Sequence, residues 1–385
     1  MHLVKAACSC TPVARVFIPR TGSIRSPTRC YSSAYKFTRS VLLSQSDISV
    51  PCVAHARRLP LRTLTARALS TGSMATVDGK RLFEALTKID GLLLTQDLSG
   101  VDKLFTNDSI FRSDGITLPT DLKGLEAVRG YYEQYFKQYA YRHVPIAQGM
   151  NEERKIGFAF SVEEKVTPTP GMTEQPGLPE EASEPSYIWS LAKYEFTEDL
   201  KCKDATLYRQ MGKDEMYARL KNPDKVTQST KEDSALLAKL RGPELEGSDK
   251  TADTATLKQR MAMAREFSEI WTTGDPSPAD RILAEDMTSQ DVIFSSSGTK
   301  GRDAWKKMIS GVFEGWTSHG QKNDVAITPD GGKAFVSWTN EGVEKTGDHN
   351  LLSGMSMLVF NKAGKIADVI AFRSPLESEK ATLFK

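Results

Sequence analysis

The chain has 385 residues, 39% hydrophobic, 26% charged and 8% aromatic. This is the balance of a globular protein of about two domains, not of a collagen-like, disordered or polytopic membrane chain. The net charge of +2 hides a split: residues 1–76 hold nine Arg, Lys5, Lys36 and one acid, Asp47, a local +10 that leaves −8 for the rest. With no basic run beyond residue 76, nucleic acid is disfavoured as a partner. No apolar run approaches the ~20 residues of an integral membrane helix.

Arg- and Ser-rich, acid-poor N-termini read as organelle transit peptides, because cationic segments are drawn across a membrane that is negative inside. No compact apolar stretch near Met1 suggests a secretory signal. Arg67-Ala68-Leu69-Ser70-Thr71-Gly72 resembles the Arg-x-Leu-x-x-Gly processing signal of mitochondrial presequences, which places the mature start near Val77. The mitochondrial matrix is the expected address and the plastid stroma the alternative; Met74 offers a second start without the address. Cys8, Cys10, Cys30 and Cys52 would leave with the segment, as would His2 and His55. The remaining Cys202 makes neither an internal disulfide nor a zinc pair, and His143, His319 and His349 fall on both sides of a linker. Neither a metal nor another cofactor is expected.

The remaining chain repeats itself. An amphipathic helix opens each copy, with Leu82, Leu86, Ile89 and Leu93 on one stripe and Leu257, Met261, Ala264, Phe267 and Trp271 on the other. Residues 109–113 pair with 292–296, and Lys123-Gly124 pairs with Lys300-Gly301 ahead of a second helical pattern. Residues 155–160 pair with 333–338, both leading to a Glu (Glu163, Glu341), and 194–209 pair with 358–373. Several such matches in the same order along the chain indicate an internal repeat. Each copy reads helix, short helix, strand, helix and antiparallel strands joined by short turns such as residues 329–332 and 361–364. This is an α+β class of two tandem cone-shaped domains, each a curved sheet with helices on one face. The boundaries are a transit peptide at 1–76, domain 1 at 77–211, a charged linker at 212–254 with a short helix at 231–241, and domain 2 at 255–385. Residues 167–185, with five Pro and four Glu, form a disordered insertion in domain 1.

That element order, closed by residues 360–373 with their phenylalanine, turn and Gly-Lys-Ile, resembles the SnoaL-like branch of the nuclear transport factor 2-like superfamily. The resemblance covers about 256–377 and, more divergently, 80–211, where Leu200 stands in place of the turn glycine. It implies a cone enclosing an apolar pocket used by cyclases, dehydratases, isomerases and hydrolases, by ligand-binding modules or by assembly hubs. It also implies pairing through the outer sheet face, giving a homo-oligomer or a pairing of the two domains within the chain.

Enzymatic members place an acid/base pair inside the cone. Asp204 and Asp368 hold equivalent places in the closing strand, either in the pocket or exposed at the strand start. Glu163 and Glu341 end small-residue strand faces that could hold ligand or face water. His143 and His319 follow a helix, where a capping cation is common, and His349 lies in a turn. Tyr132 and Tyr135 belong to a tyrosine cluster that the second copy lacks altogether. Such hydroxyls can polarise a carbonyl or simply fill the cone. If one copy is catalytic, Tyr132, Tyr135, His143 and Asp204 make it the first, with Glu163, Tyr208, Glu341, Trp338, Asp368 and His349 as pocket candidates. The leading expectation is an organellar protein binding a small apolar or carbonyl-bearing metabolite in two pockets, with acid/base chemistry of lyase or isomerase type. An assembly scaffold using the outer sheets is the alternative. A metal-independent carbonic anhydrase is the third: some organellar examples are tandem domains of this superfamily with a His-rich strand, and residues 348–353 here hold one His.

Overall fold

The computed structural model describes residues 77–113, 118, 120–138, 141–165, 187–211, 219–221, 251–292, 298–315, 320–343, 347, 349–375 and 380–381. The expected transit segment, the insertion at 167–185, the linker helix, His319 and most of residues 212–254 lie outside the described residues. Those described fall in one compact unit.

The first half runs α1 (Val77–Thr95), α2 (Leu98–Leu104), β1 (Phe105–Ser113), β2 (Leu122–Lys123), α3 (Leu125–Gln138), β3 (Tyr141–Asn151), β4 (Ile156–Lys165), β5 (Tyr187–Phe196) and β6 (Cys202–Arg209). The second runs α4 (Thr254–Thr273), α5 (Ala279–Ile282), β7 (Leu283–Asp291), β8 (Thr299–Lys300), α6 (Arg302–Gly315), β9 (Gly320–Ile327), β10 (Lys333–Val343), β11 (His349–Phe360) and β12 (Ile366–Arg373). The order of elements is the same in both. Local chemistry sets their ends. Asp97 caps α2 by accepting from the Ser99 N–H at 2.9 Å, and Asp253 caps α4 by accepting from Thr256 at 2.8 Å. Gly274, at φ +73°, closes α4 in the left-handed region.

One α+β sheet of twelve strands runs through both halves, in the order β2-β1-β6-β5-β4-β3-β9-β10-β11-β12-β7-β8. The pairing is antiparallel except for β1 with β6 and β7 with β12, which are parallel. The halves join at β3 and β9 through the register pair Met150 and Ile327.

Three cores follow. The helices of the first half cover the inner face of its strands around Leu82, Leu86, Ile89, Val128 and Tyr132. Those of the second half do the same around Phe267, Ile270, Trp305 and Ile309. The third core lies between the two outer sheet faces: Ile156, Phe158, Phe160 and Trp189 meet Phe335, Met355, Met357 and Phe372. Phe158 and Phe335 stack with centroids 5.6 Å apart and planes 6° from parallel. Gly149 permits this approach, since a Cβ there would lie 2.6 Å from the Phe335 ring. Polar bonds stitch the same seam: Tyr208 to Ser353 at 2.7 Å, Asn151 to the Val325 carbonyl at 2.8 Å, and Gln210 to the Val292 carbonyl at 2.8 Å.

The structure corrects two of the sequence pairings. The turns 197–201 and 361–365 make the same backbone bonds, which fixes Tyr194 opposite Gly157 in one half and Leu358 opposite Ala334 in the other. Residue 157 therefore corresponds to 334, not 335. A one-residue slip exchanges strand faces, so Glu163 corresponds to Asn340, and Glu341 is exposed. Likewise, Gly124 donates to the Ser109 carbonyl and Gly301 to that of Met287, so residues 109–113 correspond to 287–291 rather than 292–296.

If the central stack holds the halves together, Phe335→Ala costs about 3–5 kcal/mol in equilibrium urea unfolding. An exposed-site control, Glu341→Ala, changes it by less than about 0.5 kcal/mol.

Candidate functional site

Four polar residues meet inside the first cone. Asp90 lies on the buried stripe of α1, one turn after Leu86, and is 2% exposed. His143, on β3, donates from Nε2 to Asp90 Oδ1 at 2.9 Å and is 4% exposed; a carboxylate only accepts, so this nitrogen carries the proton. Gln148 donates to Asp90 Oδ2 at 2.8 Å and Ser161 to Oδ1 at 3.3 Å. The Thr87 hydroxyl shares its one proton between the Phe83 carbonyl at 2.9 Å and the Gln148 carbonyl oxygen at 3.1 Å. His143 Nδ1 has no hydrogen-bond partner among the described residues.

Burial of the imidazole works against its charge, but Asp90, and beyond it Glu163, outweigh that and raise His143 above its ordinary value. Glu163 stands opposite His143 in the β3–β4 ladder, and its carboxylate accepts the hydroxyl of Tyr135 from α3. Burial first, and the Glu163 charge second, push the Tyr135 phenol well above its usual range; Arg209 opposes them weakly. The phenol is therefore protonated at any ordinary pH.

Tyr135 and Glu163 face a pocket whose empty volume, counted with its open mouth, is about 370 Å³. Its enclosed part holds little more than a water molecule. Tyr131, Tyr132, Tyr194, Phe111 and Leu93 supply aromatic and apolar walls, and Ala192 and Ala205 the floor. Burial holds the phenols of Tyr132 and Tyr194 well above the usual range too. On the inner face of β4, Gly157 lets α1 pack closely, since a Cβ there would sit 2.9 Å from the Leu86 side chain.

Tyr132, Tyr135, His143 and Glu163 are thus gathered in one cone. His143 is no helix cap: α3 ends at Gln138, and the histidine is buried on the next strand. Asp204 departs from the expectation. Ala205 and Leu207 face the cone, so Asp204 lies on the other face of β6, ion-paired with Arg112; burial raises its carboxyl and Arg112 opposes the rise. Tyr208 shares that outer face and belongs to the core between the halves. Asp368 is buried, 2% exposed, and accepts from Thr288 at 2.8 Å. His349 is exposed at the start of β11.

The second cone is built differently at the corresponding places. With Gln96 and Gly274 as matching helix ends, Asp90 corresponds to Ser268, whose buried hydroxyl has no partner among the described residues. Tyr135 corresponds to Val312, Gln148 to Val325 and Ser161 to Trp338, whose indole donates to Ser356 at 3.1 Å. Trp338 packs with Trp305 and Phe313 in the second core, where the first has its polar cluster. Sequence reading passed over Asp90 because an acid within an amphipathic helix is commonly solvated; its signal was a carboxylate on the Leu86–Leu93 stripe. Gln148 and Ser161 carried no such signal.

A SnoaL-like domain model matches residues 264–369, so the chain carries a domain of that nuclear transport factor 2-like type in its second half. No curated protein matches the sequence. Among solved structures, similarity is found to a protein from Xanthomonas campestris pv. campestris described as a polyketide cyclase, at 16% identity over 30% of this chain and 91% of that one, TM-score 0.28. An LEH-like epoxide hydrolase from M. tuberculosis is 12% identical over 30% and 83%, TM-score 0.26. The epoxide hydrolase/cyclase-like enzyme SalBIII, of salinomycin pyran ring formation, is 15% identical over 30% and 91%, TM-score 0.27.

His143 gives the site a pH signature. Its folded value is raised, so its contribution to stability is complete below the ordinary histidine value of about 6.5 and is lost as pH rises through the folded value. Unfolding of the wild type and of His143→Gln across pH 5–9 should show the wild-type advantage shrinking with rising pH in that window; a constant difference would refute the pairing.

Proposed function

We propose that the half spanning residues 77–211 binds a small, largely apolar, carbonyl- or hydroxyl-bearing metabolite and moves a proton on it, in lyase or isomerase fashion. The observation that carries this is the Tyr135–Glu163 hydrogen bond at the wall of an aromatic pocket. A carboxylate is an acceptor and a base. A phenol kept protonated by burial is a donor that can hold negative charge developing on a substrate oxygen. In the second half Val312 and Asn340 occupy these positions, and we propose that it serves as a structural counterpart descended from the same unit by tandem duplication. The scaffold alternative is less well supported, because the outer sheet faces it would use are buried against each other. Carbonic anhydrase chemistry finds no support in the exposed His349.

Native mass spectrometry of the chain from its own source should reveal a small organic molecule released on denaturation. Turnover of that compound, or of its isomer, should fall by about 10²–10⁴ in Glu163→Gln and by about 10²–10³ in Tyr135→Phe, with Val312→Ala unaffected. An empty chain that binds no carbonyl compound in a metabolite screen would overturn the proposal.

We also propose, from the sequence, that residues 1–76 direct import into the mitochondrial matrix. Fused to a fluorescent protein, they should carry it to mitochondria, and Arg67→Ala should impair processing near Val77; a plastid or cytosolic signal would refute this.

A further inference from the structure

Tyr135 and Glu163 stand at the pocket wall, and the Asp90–His143 pair lies behind them. A buried carboxylate and imidazole are costly to enclose, and three further side chains are spent on holding them. Thr87 contacts the Gln148 carbonyl oxygen, while Gln148 and Ser161 both donate to Asp90. Asp90 in turn holds His143 by Nε2. This is the arrangement that prepares a histidine as a base: one nitrogen anchored by a carboxylate, which fixes the tautomer, and the other left as a bare acceptor. His143 Nδ1 has no partner among the described residues, and the ring is 4% exposed. The group across the ladder from it is Glu163. Residues directly opposite on one sheet face have Cβ atoms roughly 5 Å apart; with no direct hydrogen bond to Nδ1, proton exchange with Glu163 would run through one bridging water.

Resting on the acid–base reading of the pocket, we propose that Glu163, His143 and Asp90 form a proton relay running inward from the pocket, with His143 as a positioning and proton-storing residue. Glu163 takes a proton from a ligand C–H or O–H, whose electron pair stays on the ligand; the Tyr135 O–H, released from Glu163 as that carboxylate is protonated, turns to hydrogen-bond the ligand oxygen. The Glu163 O–H then breaks in favour of His143 Nδ1, which restores the carboxylate and creates an imidazolium paired with Asp90. Reversal delivers the same proton to a different ligand atom, so the cycle is balanced as an isomerisation. The groups surrounding the ring are Asp90 from α1, Gln148 from its own strand, Ser161 and Glu163 from β4, and, beyond Glu163, Tyr135 from α3 and Arg209 from β6. The corresponding second-half residues Ser268, Val325 and Trp338 could not build such a chain.

The test needs no ligand. The full chain is labelled with ¹⁵N-histidine, the His143 ring is assigned with His143→Gln, and its shifts are followed across pH. Above its titration the wild-type ring should be protonated at Nε2 with Nδ1 bare; Glu163→Gln and Asp90→Asn should each lower the midpoint. A ring protonated at Nδ1, or a midpoint untouched by Glu163→Gln, would overturn the relay. The tautomer is read on the wild type, so the proposal stays testable if a variant does not fold. An empty pocket in the mass spectrometer beside the expected ring signals would sink the ligand reading while supporting the shared proton; a retained ligand with a midpoint indifferent to Glu163 would do the reverse.

Discussion

The packing of one outer sheet face against the other is the constraint on which the rest depends. A curved sheet backed by helices on one side leaves its convex side apolar, and an exposed apolar sheet face is an aggregation hazard. Here each half covers the other's. The contact centres on Phe158 and Phe335, which occupy corresponding places in the two halves and stack on each other. A surface meeting its own counterpart in this way is the geometry of a twofold dimer, realised within a single polypeptide. Gly149 matters for the same reason: any side chain there would hold the phenylalanines apart.

Burying both faces of β4 gives its two sets of side chains different tasks. Ile156, Phe158, Phe160 and Val162 fill the core between the halves. The alternate set, Gly157, Ala159, Ser161 and Glu163, is small or polar: Gly157 admits Leu86 of α1, Ser161 bonds Asp90, and Glu163 lines the pocket beneath the tyrosines of α3. In β10 the inward set is Ala334, Val336 and Trp338, which fills the space instead. Stability in the second half comes from tight aromatic packing. The first half encloses a carboxylate–imidazole pair, and its desolvation is compensated by the hydrogen bonds that Gln148 and Ser161 supply. The buried polar cluster thus lies in one half, and Trp338 stands at the corresponding place in the other.

Much of the architecture was legible in sequence because helix stripes, strand alternation and turn glycines are local signals. The Lys-Gly pairs at 123–124 and 300–301 were matched correctly: Gly124 and Gly301 share a φ of +88° and one backbone bond pattern. Leu200 marks the same effect from the other side, adopting φ +62° where Gly364 has +75° because the turn demands it. The pairing of 155–160 with 333–338 failed by one residue. Two basic-then-apolar runs align equally well at either offset by composition, and only the hydrogen-bonded ladder distinguishes them. That single step moved Glu341 from a supposed twin of Glu163 to an exposed position.

The site was less legible. Tyr132, Tyr135, His143 and Glu163 stood out by residue type, yet their partners did not. Asp90 is 53 positions from His143 and Tyr135 is 28 from Glu163, separations at which sequence carries no distance. Asp204 attracted attention through its place in the closing strand, but the parity of β6 turns it away from the cone and toward Arg112. The sequence by itself determined the α+β class, the repeated order of elements and which half carries the tyrosine cluster, since each follows from periodicity and composition. Which residues face inward, which acid meets which base, and how the two outer sheet faces shield each other were decided by tertiary structure alone, because strand register and helix docking bring together groups that no local pattern connects.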